Sequence, residues 1–102
     1  MGFLANLFEF ITSFDGSFYI EDAKRWGDGI WNDIEGVSNG VLSLTMIDER
    51  LYKQLRLEFR NGTVGVFTES NDRGWAASSR DLTKQQRRQL KEEGCITIKR
   101  YR

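Results

Sequence analysis

The feature that most constrains the fold is a long stretch of alternating apolar and polar side chains, interrupted by Asn61-Gly62. Alternation with a period of two is typical of half-buried β-strands, and it extends over residues 42–46, 51–60 and 63–68. Asp48-Glu49-Arg50 separates the first two of these ranges and reads as a turn. The pattern therefore predicts an antiparallel meander of at least three strands.

Asn61-Gly62 also predicts the register of the second hairpin. Asn-Gly is the strongest short-range hairpin signal, because a type I′ turn needs positive φ at both central residues. A two-residue turn places Phe59 opposite Val64 and Arg56 opposite Phe67. We therefore expect Arg56 and Phe67 to share the outer face of the hairpin, close enough for a cation–π contact.

Two segments before the strands carry apolar side chains at helical spacing. Residues 1–14 repeat Phe, Leu and Ile at i, i+3, i+4 and i+7, and Asp15-Gly16 then ends the pattern. Residues 18–35 show the same period with acidic and basic side chains between the apolar ones. We predict two amphipathic helices here, with a strand at residues 17–21 as the alternative for the start of the second.

The C-terminal part predicts one more helix and one more strand. Thr83 followed three residues later by Gln86 matches a capping box, and Gly94 is a typical helix end. Residues 95–101 alternate again and should form a final strand, while residues 75–79 could add a short fourth strand to the meander.

These elements together predict an α+β fold. It consists of two N-terminal helices, an antiparallel β-meander of three to four strands, one C-terminal helix and a final strand, with the helices on one face of the sheet. A length of 102 residues suits a single domain over residues 1–102.

The residue types that are missing exclude several chemistries. The chain has no histidine and one cysteine, Cys95, so it can form neither a Ser-His or Cys-His pair nor a zinc site built from several Cys or His ligands. We expect no catalytic residues, no metal and no cofactor, with Cys95 buried at the start of the last strand. A lone thiol, with no export signal and no apolar run of membrane-spanning length, is typical of a cytoplasmic protein.

The total charge is zero, but the two halves of the chain have opposite charge. Residues 1–50 hold nine acidic and three basic side chains, and residues 51–102 hold six acidic and twelve basic ones. Such asymmetry indicates either a charged partner or electrostatic pairing within the molecule.

The acidic half contains two tryptophans among carboxylates, and this combination leads our functional hypothesis. Tryptophan is a frequent interface anchor, and an acidic rim attracts a basic partner. We therefore predict an inhibitor or immunity-type module that blocks a basic, nucleic-acid-handling protein. Packing of both indoles on the sheet is the competing interpretation. The predicted partner-binding residues are Trp26, Asp28, Trp31, Asp33 and Glu35.

The basic half supports an alternative function, in which the protein is a small module that binds RNA or single-stranded DNA. The C-terminal helix places four basic side chains on one face, and a solvated face without function is the competing interpretation. An open sheet edge also allows a homodimer in place of a monomer. The candidate nucleic-acid-binding residues are Arg56, Lys84, Arg87, Arg88 and Lys91.

Overall fold

The structure of the protein, a computed structural model, describes residues 7–14, 20–71 and 79–102, and for residues 7–14 and 71 it describes the backbone alone. The elements follow the order β-α-β-β-β-α-β. They are β1 (Leu7–Phe14), α1 (Ile20–Asp33), β2 (Val37–Ile47), β3 (Arg50–Phe59), β4 (Val64–Asn71), α2 (Lys84–Glu93) and β5 (Cys95–Tyr101).

The strands form one sheet in the order β1-β4-β3-β2-β5. β2, β3, β4 and β5 are antiparallel to their neighbours, whereas β1 runs parallel to β4. An α+β architecture with a largely antiparallel sheet is thus confirmed. Because β1 and β2 lie three positions apart in the sheet, α1 connects them as a crossover that spans β4 and β3.

Both helices pack on the same face of the sheet and bury its leucines. One cluster lies under α2, and the other lies under α1; Ile98 of β5 packs against both. The buried members of the first are Leu44, Leu51, Leu82 and Leu90, and those of the second are Leu42, Leu55, Leu57 and Tyr101. We call this side of the sheet the helix face, and the opposite side the outer face.

The predicted helix over residues 1–14 is wrong for residues 7–14, which form β1, and its first six residues lie outside the described part of the chain. A short apolar run rich in Phe and β-branched residues fits a strand as well as a helix, and periodicity alone does not separate the two. What decides is the backbone pairing that β4 offers along its whole length, from Leu7 with Val64 to Phe14 with Asn71.

The later helices and strands are confirmed. The predicted helix over 18–35 is α1, and α2 begins at the predicted capping box, in which Thr83 Oγ1 accepts from the Gln86 amide at 3.1 Å and Gln86 Oε1 accepts from the Thr83 amide at 2.9 Å. Gly94 ends α2 with φ +82°. The predicted strand at 75–79 lies outside the described residues except for Ser79, which is in a turn. Cys95 begins β5 as predicted, but its side chain is exposed rather than buried.

The β3–β4 hairpin forms with a register one residue away from the predicted one. The loop contains three residues, with positive φ only at Gly62, because the Asn61 side chain accepts from the Thr63 amide at 3.0 Å and Asn61 keeps negative φ. This is the three-residue loop with a glycine bulge. Arg56 therefore pairs with Val66, and Phe67 pairs with Leu55 on the helix face.

The β2–β3 hairpin has a two-residue turn built from residues that are unfavourable there. Asp48 has φ 50° and Glu49 has φ 62°, and the two residues lie between Ile47 and Arg50, which pair across the hairpin. We expect the double substitution Asp48→Asn, Glu49→Gly to raise the free energy of unfolding by about 1 kcal/mol, because it relieves left-handed backbone strain. Urea unfolding measures this, and the control Asp48→Asn/Glu49→Ala, which removes the same two charges but retains Cβ at position 49, should bring a smaller gain.

A candidate binding groove beside the first helix

The two tryptophans of α1 lie on opposite flanks of the helix. Trp26 and Trp31 are five positions apart, which corresponds to about 140° around the helix axis. Ala23 and Gly27 face the sheet between them and are buried, while Trp26 and Trp31 are each half-buried. Trp26 points towards β4 and Trp31 towards β5, so the helix presents two different surfaces.

The flank towards β5 is an internal contact between the acidic and the basic halves of the chain. Asp28 Oδ1 accepts from Lys99 Nζ at 2.8 Å and from Tyr101 Oη at 2.6 Å. The Trp31 ring stacks on Tyr101 with centroids 5.1 Å apart, and Lys99 Nζ lies 4.8 Å from the Tyr101 ring centroid. Asp28 and Trp31 therefore attach α1 to the edge strand β5.

This contact changes the acidity of two of its members. The hydrogen bonds from Lys99 and Tyr101 lower the pKa of Asp28 below its usual 3.8. Burial and the hydrogen bond to Asp28 raise the pKa of the Tyr101 hydroxyl well above its usual range. Asp28 is therefore a charged acceptor, and Tyr101 a neutral donor, over the whole physiological pH range.

We expect Asp28 to contribute to the stability of the protein at neutral pH and to lose that contribution in acid. A carboxylate with a depressed folded-state pKa stabilises the fold above its unfolded pKa of 3.8, and this stabilisation disappears as pH falls through the folded value. Urea unfolding of the wild type and of Asp28→Asn should therefore differ at pH 7 and converge below pH 3.8. A difference that does not change with pH would contradict this role.

The flank towards β4 forms an open groove of about 480 Å³. Trp26, Gly29, Ile30 and Ile34 provide one wall, and Phe67 of β4 provides the other. Its two charged residues are Arg25 and Asp33, which are both exposed at the rim. We call this the Trp26 groove.

A buried ion pair lies beside the Trp26 groove, beneath the indole. Lys53 is 8% exposed, and its Nζ lies 3.7 Å from Glu69 Oε1 and 5.2 Å from the centre of the Trp26 ring. Burial lowers the pKa of Lys53, and the Glu69 carboxylate opposes this shift. The pair holds Trp26 over the sheet by a cation–π contact, which is stronger in a desolvated site.

The predicted acidic surface is therefore divided between different places. Trp26 and Asp33 line the groove, while Asp28 and Trp31 lie on the other flank and contact β5. Glu35 is exposed in the loop after α1.

The five candidate nucleic-acid-binding residues also lie apart. Arg56 is on the outer face, where it forms an ion pair with Glu58 at 3.2 Å. The basic residues of α2 belong to the helix side of the sheet. Lys84, Arg88 and Lys91 are exposed there, and Arg87 is half-buried. The predicted contact between Arg56 and Phe67 does not exist, since Phe67 lines the groove on the opposite face.

The sequence-based reasoning missed Phe67, Lys53 and Glu69 as parts of this site. Lys53 stands at an inward position between Leu51 and Leu55, and a lysine in such a position signals a buried ion pair. With a three-residue loop, the same pattern would have placed Glu69 opposite Lys53 and turned Phe67 inward.

Comparison of the chain with protein-family models, with curated proteins and with solved structures finds no match. In the described part of the chain no helix has the length and apolarity needed to cross a membrane. Among the same residues, no three His, Cys, Asp or Glu side chains group as metal ligands.

Proposed function

We propose that this chain is a non-catalytic binding protein of the inhibitor or immunity type, which holds a partner protein in the Trp26 groove. The supporting observation is an open apolar groove with an indole in its wall and the carboxylate of Asp33 at its rim. Its volume of about 480 Å³ falls in the range of natural ligand pockets, ~300–1,000 Å³.

The chemistry of the groove specifies the kind of partner. Trp26 and Phe67 offer aromatic surface to an apolar side chain, which is the usual centre of an interface hot spot. At the rim, Arg25 is already paired with Asp22 at 2.9 Å, whereas no described residue forms an ion pair with Asp33. The partner therefore presents an apolar anchor next to a basic group, as expected for a protein that handles nucleic acid.

Gly29 provides a sharp test, because it lines the groove and has open space where a side chain would be. A Cβ placed at Gly29 meets no atom within 4 Å. Gly29→Gln should fill the groove without disturbing the fold, and Gly29→Ala is the matched control that adds only a methyl group. The wild type and both variants are used as bait in native lysate with and without nuclease treatment, and the affinity of any captured protein is then measured with purified components.

We expect one captured protein to bind Gly29→Ala as well as the wild type and to bind Gly29→Gln at least about 10-fold more weakly, the equivalent of 1.4 kcal/mol. Asp33→Asn should slow association at low salt and leave dissociation nearly unchanged, since a rim charge acts mainly on the association rate. Equal binding to all three glycine-site proteins, or binding that disappears with nuclease, would refute the proposal.

A further inference from the structure

Three arginines come together on the outer face of the sheet, away from the Trp26 groove. Val41 of β2 pairs with Arg56 of β3 on one side and with Arg100 of β5 on the other. Directly paired residues of antiparallel strands project to the same face about 5 Å apart, so Arg56 and Arg100 flank Val41 on this face. Arg102 follows Arg100 by two positions and lines the same pocket.

This pocket has a volume of about 420 Å³ and a polar lining. Besides Arg100 and Arg102, the side chains of Ser38 and Asn39 line it. Ser38 Oγ donates to Glu58 O at 3.0 Å and Asn39 Nδ2 to Ser38 Oγ at 3.2 Å, whereas the two guanidinium groups together carry ten N–H donors. The pocket is therefore rich in donors that suit an oxyanion.

The charges around the pocket do not balance. Glu58, the acidic residue of this end of the outer face, is engaged by Arg56 at 3.2 Å and by Asn39 Nδ2 at 3.5 Å. Arg100 and Arg102 are exposed, and within the described residues neither has a carboxylate in ion-pair distance. The neighbouring Lys99 behaves differently, since it turns to the helix face and binds Asp28. The side chains of Arg100 and Arg102 thus line the pocket without forming an ion pair with an Asp or Glu side chain of the described residues.

We infer that this pocket, built on Arg100 and Arg102, is a binding site for a phosphate group. Arginine matches phosphate through paired, charge-assisted hydrogen bonds, and both arginines line this pocket. The phosphate is carried either by a small phosphorylated molecule or by a single-stranded nucleic acid. The site is independent of the Trp26 groove, so either proposal can fail without the other.

The test compares two variants with the same change in charge. Arg100→Gln/Arg102→Gln removes both arginines of the pocket, while Lys84→Gln/Arg88→Gln removes two exposed basic residues of α2 on the opposite side of the sheet. Inorganic phosphate, adenosine monophosphate and a short oligothymidylate are titrated into each ¹⁵N-labelled protein at constant ionic strength. Chemical shifts of the backbone amides report where each probe binds.

We expect phosphate to shift the amides of residues 38–41 and 100–102 in the wild type and in the α2 variant. The arginine variant should bind at least about 10-fold more weakly, because it loses two charge-assisted contacts. Tighter binding of adenosine monophosphate than of the oligonucleotide identifies a small ligand. Tighter binding of the oligonucleotide, with a salt slope of about −1.4 for two phosphate contacts, identifies a nucleic acid.

Two results would overturn the inference. One is the absence of localised shifts at residues 38–41 and 100–102 with every probe. The other is an equal loss of binding in the two variants, which would show that the probes respond to overall charge and not to this pocket.

Discussion

We expect Glu69→Ala to lower the free energy of unfolding by about 3 kcal/mol, since it removes a carboxylate 3.7 Å from the largely buried Lys53 ammonium. Lys53 is 8% exposed and lies between leucine positions of β3, so water cannot replace the lost carboxylate at low cost. Urea unfolding measures the change as a lower midpoint at constant slope. A loss below about 1 kcal/mol, the value typical of an exposed pair, would contradict a buried role.

The double variant Lys53→Met/Glu69→Leu is the control for this prediction. Replacement of a buried ion pair by apolar side chains of similar volume is often neutral or stabilising, so the double variant should unfold within about 1 kcal/mol of the wild type or above it. A double variant as unstable as Glu69→Ala would indicate that the shape of these side chains matters more than the charge.

The pH dependence of the free energy of unfolding also distinguishes the effect of the Lys53 charge from the effect of side-chain shape. The folded-state pKa of Lys53 is lowered, so below its unfolded value of 10.5 the unfolded chain binds more protons than the native protein. The contribution of Lys53 to the free energy of unfolding therefore rises as the pH increases towards 10.5. Glu69→Ala removes the carboxylate that opposes the lowering of the Lys53 pKa. The loss in free energy of unfolding of this variant relative to the wild type should therefore become smaller as the pH approaches 10.5. Lys53→Met/Glu69→Leu has no lysine at position 53, so its free energy of unfolding should show no such rise with pH.

The second large effect is a contrast between two glycines of the same helix turn. A Cβ at Gly27 would lie 2.8 Å from Tyr101 Oη and 3.1 and 3.2 Å from the Leu42 methyl groups, whereas a Cβ at Gly29 meets nothing within 4 Å. We expect Gly27→Ala to lower the free energy of unfolding by about 2 kcal/mol through overpacking. Gly29→Ala should raise it by about 1 kcal/mol through helix propensity.

Thermal or urea unfolding of the two variants shows whether their free energies of unfolding change in opposite directions. Gly27→Ala should also displace the Tyr101 hydroxyl from Asp28 and bring the pKa of Asp28 closer to 3.8, which a carboxyl NMR titration records. If both variants changed stability in the same direction, the close approach of α1 to Tyr101 would not be the reason for glycine at position 27.

Elements whose signals are local were predictable from the sequence. The capping box at Thr83, the helix end at Gly94 and the alternation of β5 depend on neighbouring residues alone, and they are confirmed. β1 was missed because its conformation depends on β4, whose residues are far away in the chain. The helical spacing of its Phe, Leu and Ile residues carries no information about that partner.

The candidate site was harder to predict because the length of one loop determines which side chains of β4 face the helices. With a two-residue loop at Asn61-Gly62, Phe67 lies on the outer face; with the three-residue loop that forms, every β4 side chain moves to the opposite face. Phe67 then completes the Trp26 groove, and Glu69 meets Lys53. The sequence suggested that Trp26 and Trp31 lie on one binding surface, but the helix geometry places them on opposite flanks of α1.

The parallel pairing of β1 with β4 has a consequence for how the molecule assembles. Leu7 pairs with Val64 and Phe14 with Asn71, so every partner in this ladder is 57 positions away. On the ribosome, β1 is synthesised long before its partner strand β4. The β2–β3–β4 meander, whose loops are short, therefore forms before β1 can pair. β1 therefore joins the sheet only after this meander has closed, and until it does, the edge of β4 is free to accept an equivalent strand from another nascent chain.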